Sequence, residues 1–154
     1  MVFAAIVIAV IAIDQLTKTW IRVNLAVGET AVDFGFFEII HVQNTGAAFG
    51  IFKGIPYVFL ALQIIAILVI LYIVIFFRKR WPFIDRWPVR TGLALVMAGA
   101  AGNVIDRLFY EGHVTDFLNF KVWPVFNVAD SSSVIGSIVL AYAIIFLLKP
   151  ELKE

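Results

Sequence analysis

The sequence predicts an all-α membrane protein of four transmembrane helices with a small extracytoplasmic β-sheet and loop. The chain of 154 residues is 62% hydrophobic with a mean hydropathy of +0.99, and a soluble domain of this size cannot bury so much apolar surface. Four apolar stretches are long enough to cross about 30 Å of hydrocarbon. Positive charges are concentrated between the second and third stretches. We expect one integral membrane domain over residues 1–154.

The four spans are expected at about residues 2–21, 56–77, 89–109 and 128–148. Asp14 and Lys18 interrupt the first span, whereas the second is almost purely aliphatic and aromatic. The third is rich in Gly and Ala, and Gly99 and Gly102 give it a smooth face for close helix packing. Each span is expected to be helical because lipid cannot satisfy the backbone of an open strand.

The distribution of Lys and Arg predicts the orientation of the chain. The connection between spans two and three carries more positive charges than either other connection, at Arg78, Lys79, Arg80, Arg86 and Arg90. The first connection has Arg22 and Lys53 but also three acids, and the last connection has Lys121. We therefore expect the arginine-rich connection and both termini to be cytoplasmic, and the two other connections to lie outside.

The first outer connection, about residues 23–55, predicts a small sheet at the outer membrane surface. Residues 31–42 alternate loosely and are rich in aromatic and β-branched side chains, which favours short strands. The segment Asn44-Thr45-Gly46-Ala47-Ala48-Phe49-Gly50 then breaks the alternation.

Composition argues against several classes of function. The chain has no Cys, which excludes disulfides, thiolate metal sites and Cys nucleophiles. A multi-His metal site is not expected because His41 and His113 are the only histidines in the sequence. No basic aromatic patch supports binding to nucleic acid. Ser131, Ser132 and Ser133 have no evident base, so a serine enzyme is not expected.

Polar residues within the spans are the strongest functional signal, because charges at membrane depth are costly and commonly functional. Asp14 and Lys18 are four residues apart and share a helical face. They either neutralise each other or orient groups at the outer end of a site. Asn103, Asp106 and Arg107 also share a face, and Arg107 is expected to pair with Asp106 through charge-assisted bonds, which favours a structural clamp.

Three acids are expected at one membrane face. Asn127 and Asp130 begin the fourth span, where helix capping accounts for both, and Asp116 lies in the short outer connection, where a solvated loop acid is the simplest interpretation. Asp106 ends the third span at the same face. Two carboxylates held close together cannot both ionise easily, so one keeps a proton and the other becomes a base that activates water. Spacing alone does not decide which two form the pair.

Five ordered motifs resemble those of the lipoprotein signal peptidases (signal peptidase II), aspartic peptidases of the bacterial inner membrane. They are Asp14-Gln15-Leu16-Thr17-Lys18, Asn44-Thr45-Gly46-Ala47-Ala48-Phe49, Gly102-Asn103-Val104-Ile105-Asp106-Arg107, Val114-Thr115-Asp116-Phe117 and Phe126-Asn127-Val128-Ala129-Asp130-Ser131. The resemblance covers nearly the whole chain. Two departures are Thr115, where an aliphatic residue is common, and a short segment from Asp116 to Asp130.

The resemblance implies a role for each polar residue in these motifs. Asp116 and Asp130 correspond to the catalytic pair. The remaining positions correspond to residues that support the site or hold the substrate: Asn44, Asn103, Asp106, Arg107, Asn127, Asp14 and Lys18. No metal or other cofactor is implied.

The resemblance also implies a substrate and a location. The substrate is expected to be a prolipoprotein with a diacylglyceryl-modified Cys, cut just before that Cys to release the signal peptide. Its diacyl chains would sit in membrane lipid beside the sheet, and Gly46 and Gly50 would give the outer loop its flexibility. We expect a monomer in the bacterial cytoplasmic (inner) membrane, with the active site at the outer face and with globomycin-type inhibitors occupying the same cleft.

Two other functions compete with this interpretation. A small transporter or channel would use Asp14, Asp106 and Asp130 as an ion or proton relay, although the acids gather at one face and no broken helix pair marks a midplane site. A non-enzymatic membrane subunit would use the polar residues to join helices. A transporter should tolerate loss of Asp116 better than loss of Asp14. A scaffold should lose folding with Asp130→Asn, and a peptidase should stay folded but lose turnover.

Overall fold

A computed structural model of the protein describes residues 2–46 and 56–147. The elements follow in the order α1 (Val2–Asn24), β1 (Thr30–Asp33), β2 (Glu38–Asn44), α2 (Pro56–Tyr72), α3 (Trp87–Phe109), β3 (Val114–Asn119) and α4 (Val128–Tyr142). π-Helical turns extend α2 over Ile73–Phe77 and α4 over Ala143–Leu147, and a 3-10 turn at Pro82–Asp85 precedes α3. The expectations for residues 47–50, for Lys53 and for the end of the fourth span at residue 148 fall outside the described residues.

Within residues 2–46 and 56–147, four helices are long and apolar enough to cross a membrane: Val2–Asn24, Tyr57–Phe77, Trp87–Phe109 and Val128–Phe146. Together with a three-stranded antiparallel sheet, they confirm the predicted fold class. The helix α3 is the most buried of the four and α2 the least. Asn103, Asp106 and Arg107 of α3 are buried, whereas α2 turns mostly aliphatic and aromatic side chains outward.

Small residues allow α3 to pack closely against α4 and α1. Ala94 and Ala98 of α3 are fully buried. A side chain at Gly99 would collide with the backbone oxygen of Ala129 at the start of α4, and one at Gly102 would come within 2.6 Å of Asp14 Oδ2 on α1. The predicted smooth face of the third span is thus confirmed, and it brings the middle of α1 and the start of α4 close to α3 near Gly99 and Gly102.

The sheet has the order β1-β2-β3 with antiparallel pairing throughout. Its first two strands, β1 and β2, come from the alternating segment that predicts strands. The third strand is not predicted by the sequence, which places Asp116 in a short outer connection where a solvated loop acid is one interpretation and a member of a carboxylate pair is the other. Asp116 instead lies in β3, pairs with Val42 of β2 and is only 1% exposed. The loop interpretation is therefore wrong, since β2 supplies hydrogen-bonding partners for a segment too short to be recognised alone.

Candidate active site

The carboxylate of Asp116 is held by amides from two different elements. Asn44, two residues along β2 from the residue paired with Asp116, donates from Nδ2 to Asp116 Oδ2 at 2.9 Å. Asn127, just before α4, donates from Nδ2 to Asp116 Oδ1 at 2.6 Å. Burial, followed by the charge of Asp130, raises the pKa of Asp116 to about 7. Asp116 can therefore exchange a proton near neutral pH.

The carboxylate of Asp130 belongs to the capping box of α4. Asn127 is the N-cap, its Oδ1 accepts from the Asp130 N–H at 2.8 Å, and the Asn127 N–H donates back to Asp130 Oδ2 at 3.3 Å. The expected capping role is confirmed, and it does not exclude a role in a site. The same Asn127 side chain touches Asp130 with its oxygen and Asp116 with its nitrogen. One amide therefore fixes both acids.

Asn103 of α3 links this pair to the buried charges behind it. Its Nδ2 donates to Asp130 Oδ1 at 2.7 Å, while its Oδ1 accepts from Lys18 Nζ at 2.9 Å and from Asn127 Nδ2 at 3.1 Å. All three hydrogen bonds join different helices or caps. Asn103 consequently sets the distance between α1, α3 and the start of α4.

Lys18 stands between two acids and is fully buried. Its Nζ lies 2.9 Å from Asp14 Oδ2 and 3.3 Å from Asp106 Oδ2, and both carboxylates are also fully buried. Asp14 Oδ1 accepts from the Ala129 N–H at 2.9 Å, which ties α1 to the first turn of α4. The expected pairing of Asp14 with Lys18 is confirmed, and it extends to Asp106.

The expected pairing of Arg107 with Asp106 is wrong. Asp106 takes Lys18 as its ion-pair partner and accepts the Thr115 N–H at Oδ2 (3.0 Å), whereas Arg107 Nη1 donates to Gln63 Oε1 of α2 at 2.9 Å. Consecutive residues of an α-helix point about 100° apart around its axis. Asp106 therefore faces α1 and β3, while Arg107 faces α2.

Four further polar residues join the network although no role was predicted for them. Gln15 donates to Asp106 Oδ1 and to the Gly102 carbonyl, both at 3.0 Å. Gln63 is the only amide in an otherwise aliphatic and aromatic α2, and such a lone amide in a span is a signal that could have revealed it. The others are Arg22 and Thr115, which contact each other.

A cleft of about 340 Å³ opens in front of the two acids. Its polar lining includes Asn44, Asn103, Arg107, Asp116 and Asp130, and its apolar lining comes from Phe59 of α2 and from side chains between β3 and α4. Arg107 Nε is buried and has no hydrogen-bond partner among the described residues. The remaining predicted site residues, Asp14, Lys18, Asp106 and Asn127, support this wall from behind.

Comparison with known proteins agrees with this architecture. The family described as signal peptidase (SPase) II matches residues 6–146. The lipoprotein signal peptidase of Moorella thermoacetica is 41% identical over 146 residues, covering 94% of this chain and 93% of the relative. That of Dehalococcoides mccartyi strain CBDB1 is 42% identical over 125 residues, covering 81% of this chain and 77% of the relative.

Solved structures of bacterial membrane enzymes share the fold of this chain. One bacterial membrane enzyme structure superposes with a TM-score of 0.81 at 32% identity, covering 99% of this chain and 92% of the other. A second gives a TM-score of 0.79 at the same identity. Fold and matches together define a multi-pass membrane peptidase. The chain belongs to the signal peptidase II family, the lipoprotein signal peptidases.

Proposed function

We propose that this chain is an aspartic endopeptidase that removes the signal peptide from diacylglyceryl-modified prolipoproteins by cutting just before the lipid-modified Cys. The observation that carries the proposal is the joint fixation of Asp116 and Asp130 by Asn127 at the wall of one cleft. Membership of the lipoprotein signal peptidase family supports the class of substrate. The chemistry follows from the two acids.

Asp116 and Asp130 share one proton. The ionised carboxylate takes a proton from a water whose oxygen attacks the scissile carbonyl, while the protonated carboxyl donates to the carbonyl oxygen. The tetrahedral intermediate then collapses, the C–N bond breaks, and the leaving amine takes a proton from the pair. The products are the carboxyl end of the signal peptide and the free amino group of the lipidated Cys.

Amide and guanidinium groups of the cleft hold the substrate backbone. Asn44 and Asn103 line the wall beside the two acids. Arg107 brings a buried Nε–H that has no partner among the described residues, so a substrate carbonyl can accept from it at no cost to an existing bond. Globomycin-type cyclic peptides would compete for the same donors.

An apolar groove beside the two acids can bind the lipid chains of the substrate. A groove of about 430 Å³ adjoins Asp130 and is lined mainly by Phe120, Trp123, Phe126, Val134 and Ile135. Because the diacylglyceryl group is attached to the residue directly after the cut, its chains must leave the cleft near the two acids. We assign them to this groove and to the surrounding membrane lipid.

The proposal is tested by cleavage of a lipid-modified prolipoprotein by purified protein in detergent. Asp116→Asn and Asp130→Asn should each stay folded and lower kcat by about a thousandfold or more. Each change removes one of the two ionisable carboxyl groups that share the proton. A metal chelator should have no effect, and a globomycin-type inhibitor should block the wild type.

Asp85→Asn is the matched control. Asp85 lies just before the N-terminus of α3, at the end of the helix remote from the site, and its half-exposed side chain pairs with Arg90. It should keep wild-type turnover. Near-normal turnover in either Asn variant of the pair would overturn the assignment, and proton or ion flux in liposomes would then be measured.

We also propose that both termini and the basic connection are cytoplasmic and that the cleft opens to the outer face of the inner membrane. The chain has no native Cys, so single-Cys variants report accessibility without background. Glu29→Cys, before the exposed strand β1, should react with a membrane-impermeant maleimide added to intact spheroplasts. Lys79→Cys should react only after the membrane is permeabilised. The reverse pattern would contradict this topology.

A further inference from the structure

Arg22 is the one charged residue of α1 for which the proposed mechanism has no use, and it lies one helical turn beyond Lys18. Its Nη1 donates to Thr115 Oγ1 at 3.2 Å and lies 3.5 Å from Asp106 Oδ1. Its guanidinium stacks over Tyr110, 4.1 Å from the ring centroid. The side chain is 14% exposed. Arg22 thus bridges α1, the end of α3 and the strand that carries Asp116.

Thr115 is the residue through which this bridge reaches the cleft. It is buried, its N–H donates to Asp106 Oδ2 at 3.0 Å, and its hydroxyl accepts from Arg22. Successive side chains of a strand point to opposite faces. When the side chain of Thr115 is held on one face of β3, the side chain of Asp116 is therefore directed to the opposite face.

Strand β3 needs such a fixture because it is an edge strand. Among the described strands it pairs with β2 alone, and the backbone bridge on its other edge joins Leu118 to Phe126, three residues beyond Thr115. At that edge the backbone of Thr115 is held by side chains, the N–H by Asp106 and the carbonyl more weakly by Asn127 Nδ2 at 3.4 Å. The Arg22 bond adds a third contact from a planar group that stacking on Tyr110 keeps in place.

We infer that Arg22 is a positioning residue, which acts through the hydroxyl of Thr115 to keep Asp116 directed at Asp130. Its enzymatic readout rests on the proposed function. Small displacements of a reacting group lower turnover strongly, whereas the binding of the substrate elsewhere in the cleft is unaffected.

The kinetic test compares Arg22→Met, Thr115→Val and the double variant on a lipid-modified prolipoprotein. Each single change should lower kcat by about tenfold and leave KM within about twofold, and the double variant should be no slower than either single one. Thr115→Ser, which keeps the hydroxyl, should retain wild-type kcat. Arg90→Met removes an arginine at the other end of α3 and should have no effect. Multiplying effects in the double variant, or unchanged kcat in both singles, would overturn the inference.

A second measurement needs no substrate: titration of the Asp116 carboxyl carbon by NMR. The charged groups around Asp116 are Asp130 on α4, Lys18 on α1 and Arg107 on α3, and Asn44 on β2 is neutral. A loosened β3 admits water, so the pKa of Asp116 should fall towards its ordinary value in both Arg22→Met and Thr115→Val.

The direction of the shift separates positioning from simple loss of charge. Removing a cation without moving the strand would raise the pKa of Asp116 or leave it unchanged, and either result in Arg22→Met would overturn the inference. If the wild type cleaves no prolipoprotein, the proposed function fails, but the titration still decides whether Arg22 positions Asp116.

Discussion

The two ends of α3 carry ion pairs of opposite character. At its N-terminus, Arg90 in the first turn of α3 lies 2.6 Å from Asp85 of the preceding 3-10 turn, and the two side chains are 28% and 46% exposed. Towards its C-terminus, Lys18 lies 2.9 Å from Asp14 and 3.3 Å from Asp106, with every side chain fully buried. The shorter contact is the less important one, because water screens the exposed pair.

Burial changes what an ion pair does. Taking the three charges of the buried cluster out of water is costly, and that cost is offset only if every charge keeps its partners. Lys18 also donates to Asn103, which in turn holds Asp130. The buried cluster therefore helps to fix the positions of Asp116 and Asp130, whereas the exposed pair only joins the turn before α3 to the first turn of that helix.

Lys18→Met should produce the largest effect on stability. It leaves Asp14 and Asp106 buried without their shared cation, and breaking a buried pair in this way costs about 3–5 kcal/mol. Arg90→Met, the matched change at the other end of α3, should cost less than about 1 kcal/mol. Unfolding of both variants in mixed micelles, followed by Trp fluorescence, measures the difference.

Equal losses of stability in the two variants would contradict the expected difference between the buried and the exposed ion pair. A double variant Lys18→Met with Asp14→Asn tests the cause of the loss, because it removes one of the two carboxylate charges left without a partner. That variant should recover part of the lost stability if desolvated charge, and not lost packing, is the cause.

Much of the fold could be predicted from the sequence because each span is specified locally. Hydropathy and length mark the four helices, and the Lys and Arg of one connection stand apart from the rest. The packing face of α3 could also be predicted, since Gly99 and Gly102 are visible in the sequence. The strand β3 could not, because its six residues are defined by pairing with β2, far away in the chain.

The site was predictable in membership but not in contacts. Spacing placed Asp106 and Arg107 on one helix, yet it gave no information on which neighbouring helix each would face. Arg107 donates a hydrogen bond to Gln63 of α2, and Asp106 forms an ion pair with Lys18 of α1. From spacing, helix capping accounts for Asn127 without a role in the site. In the structure its side chain does both, because Oδ1 accepts from the Asp130 N–H while Nδ2 donates to Asp116 Oδ1.

A smaller effect distinguishes two carboxylates of the same sheet. Burial raises the pKa of Asp116 to about 7, so the folded protein binds this proton more tightly than the unfolded chain does. The folded state therefore loses stability as the pH rises from the ordinary Asp range to about 7. On exposed β1, a hydrogen bond from Lys121 lowers the pKa of Asp33, and the stability that it contributes is lost as the pH falls.

Asp116→Asn should consequently become more stable relative to the wild type as the pH rises from 5 to 9, by about 1–3 kcal/mol. Asp33→Asn should show the opposite sign, with a small loss at neutral pH that disappears in acid. Unfolding curves collected across this range for both variants and the wild type measure the two trends. Parallel curves for Asp116→Asn and the wild type would mean that Asp116 is solvated, and its place as a buried member of a carboxylate pair would then be wrong.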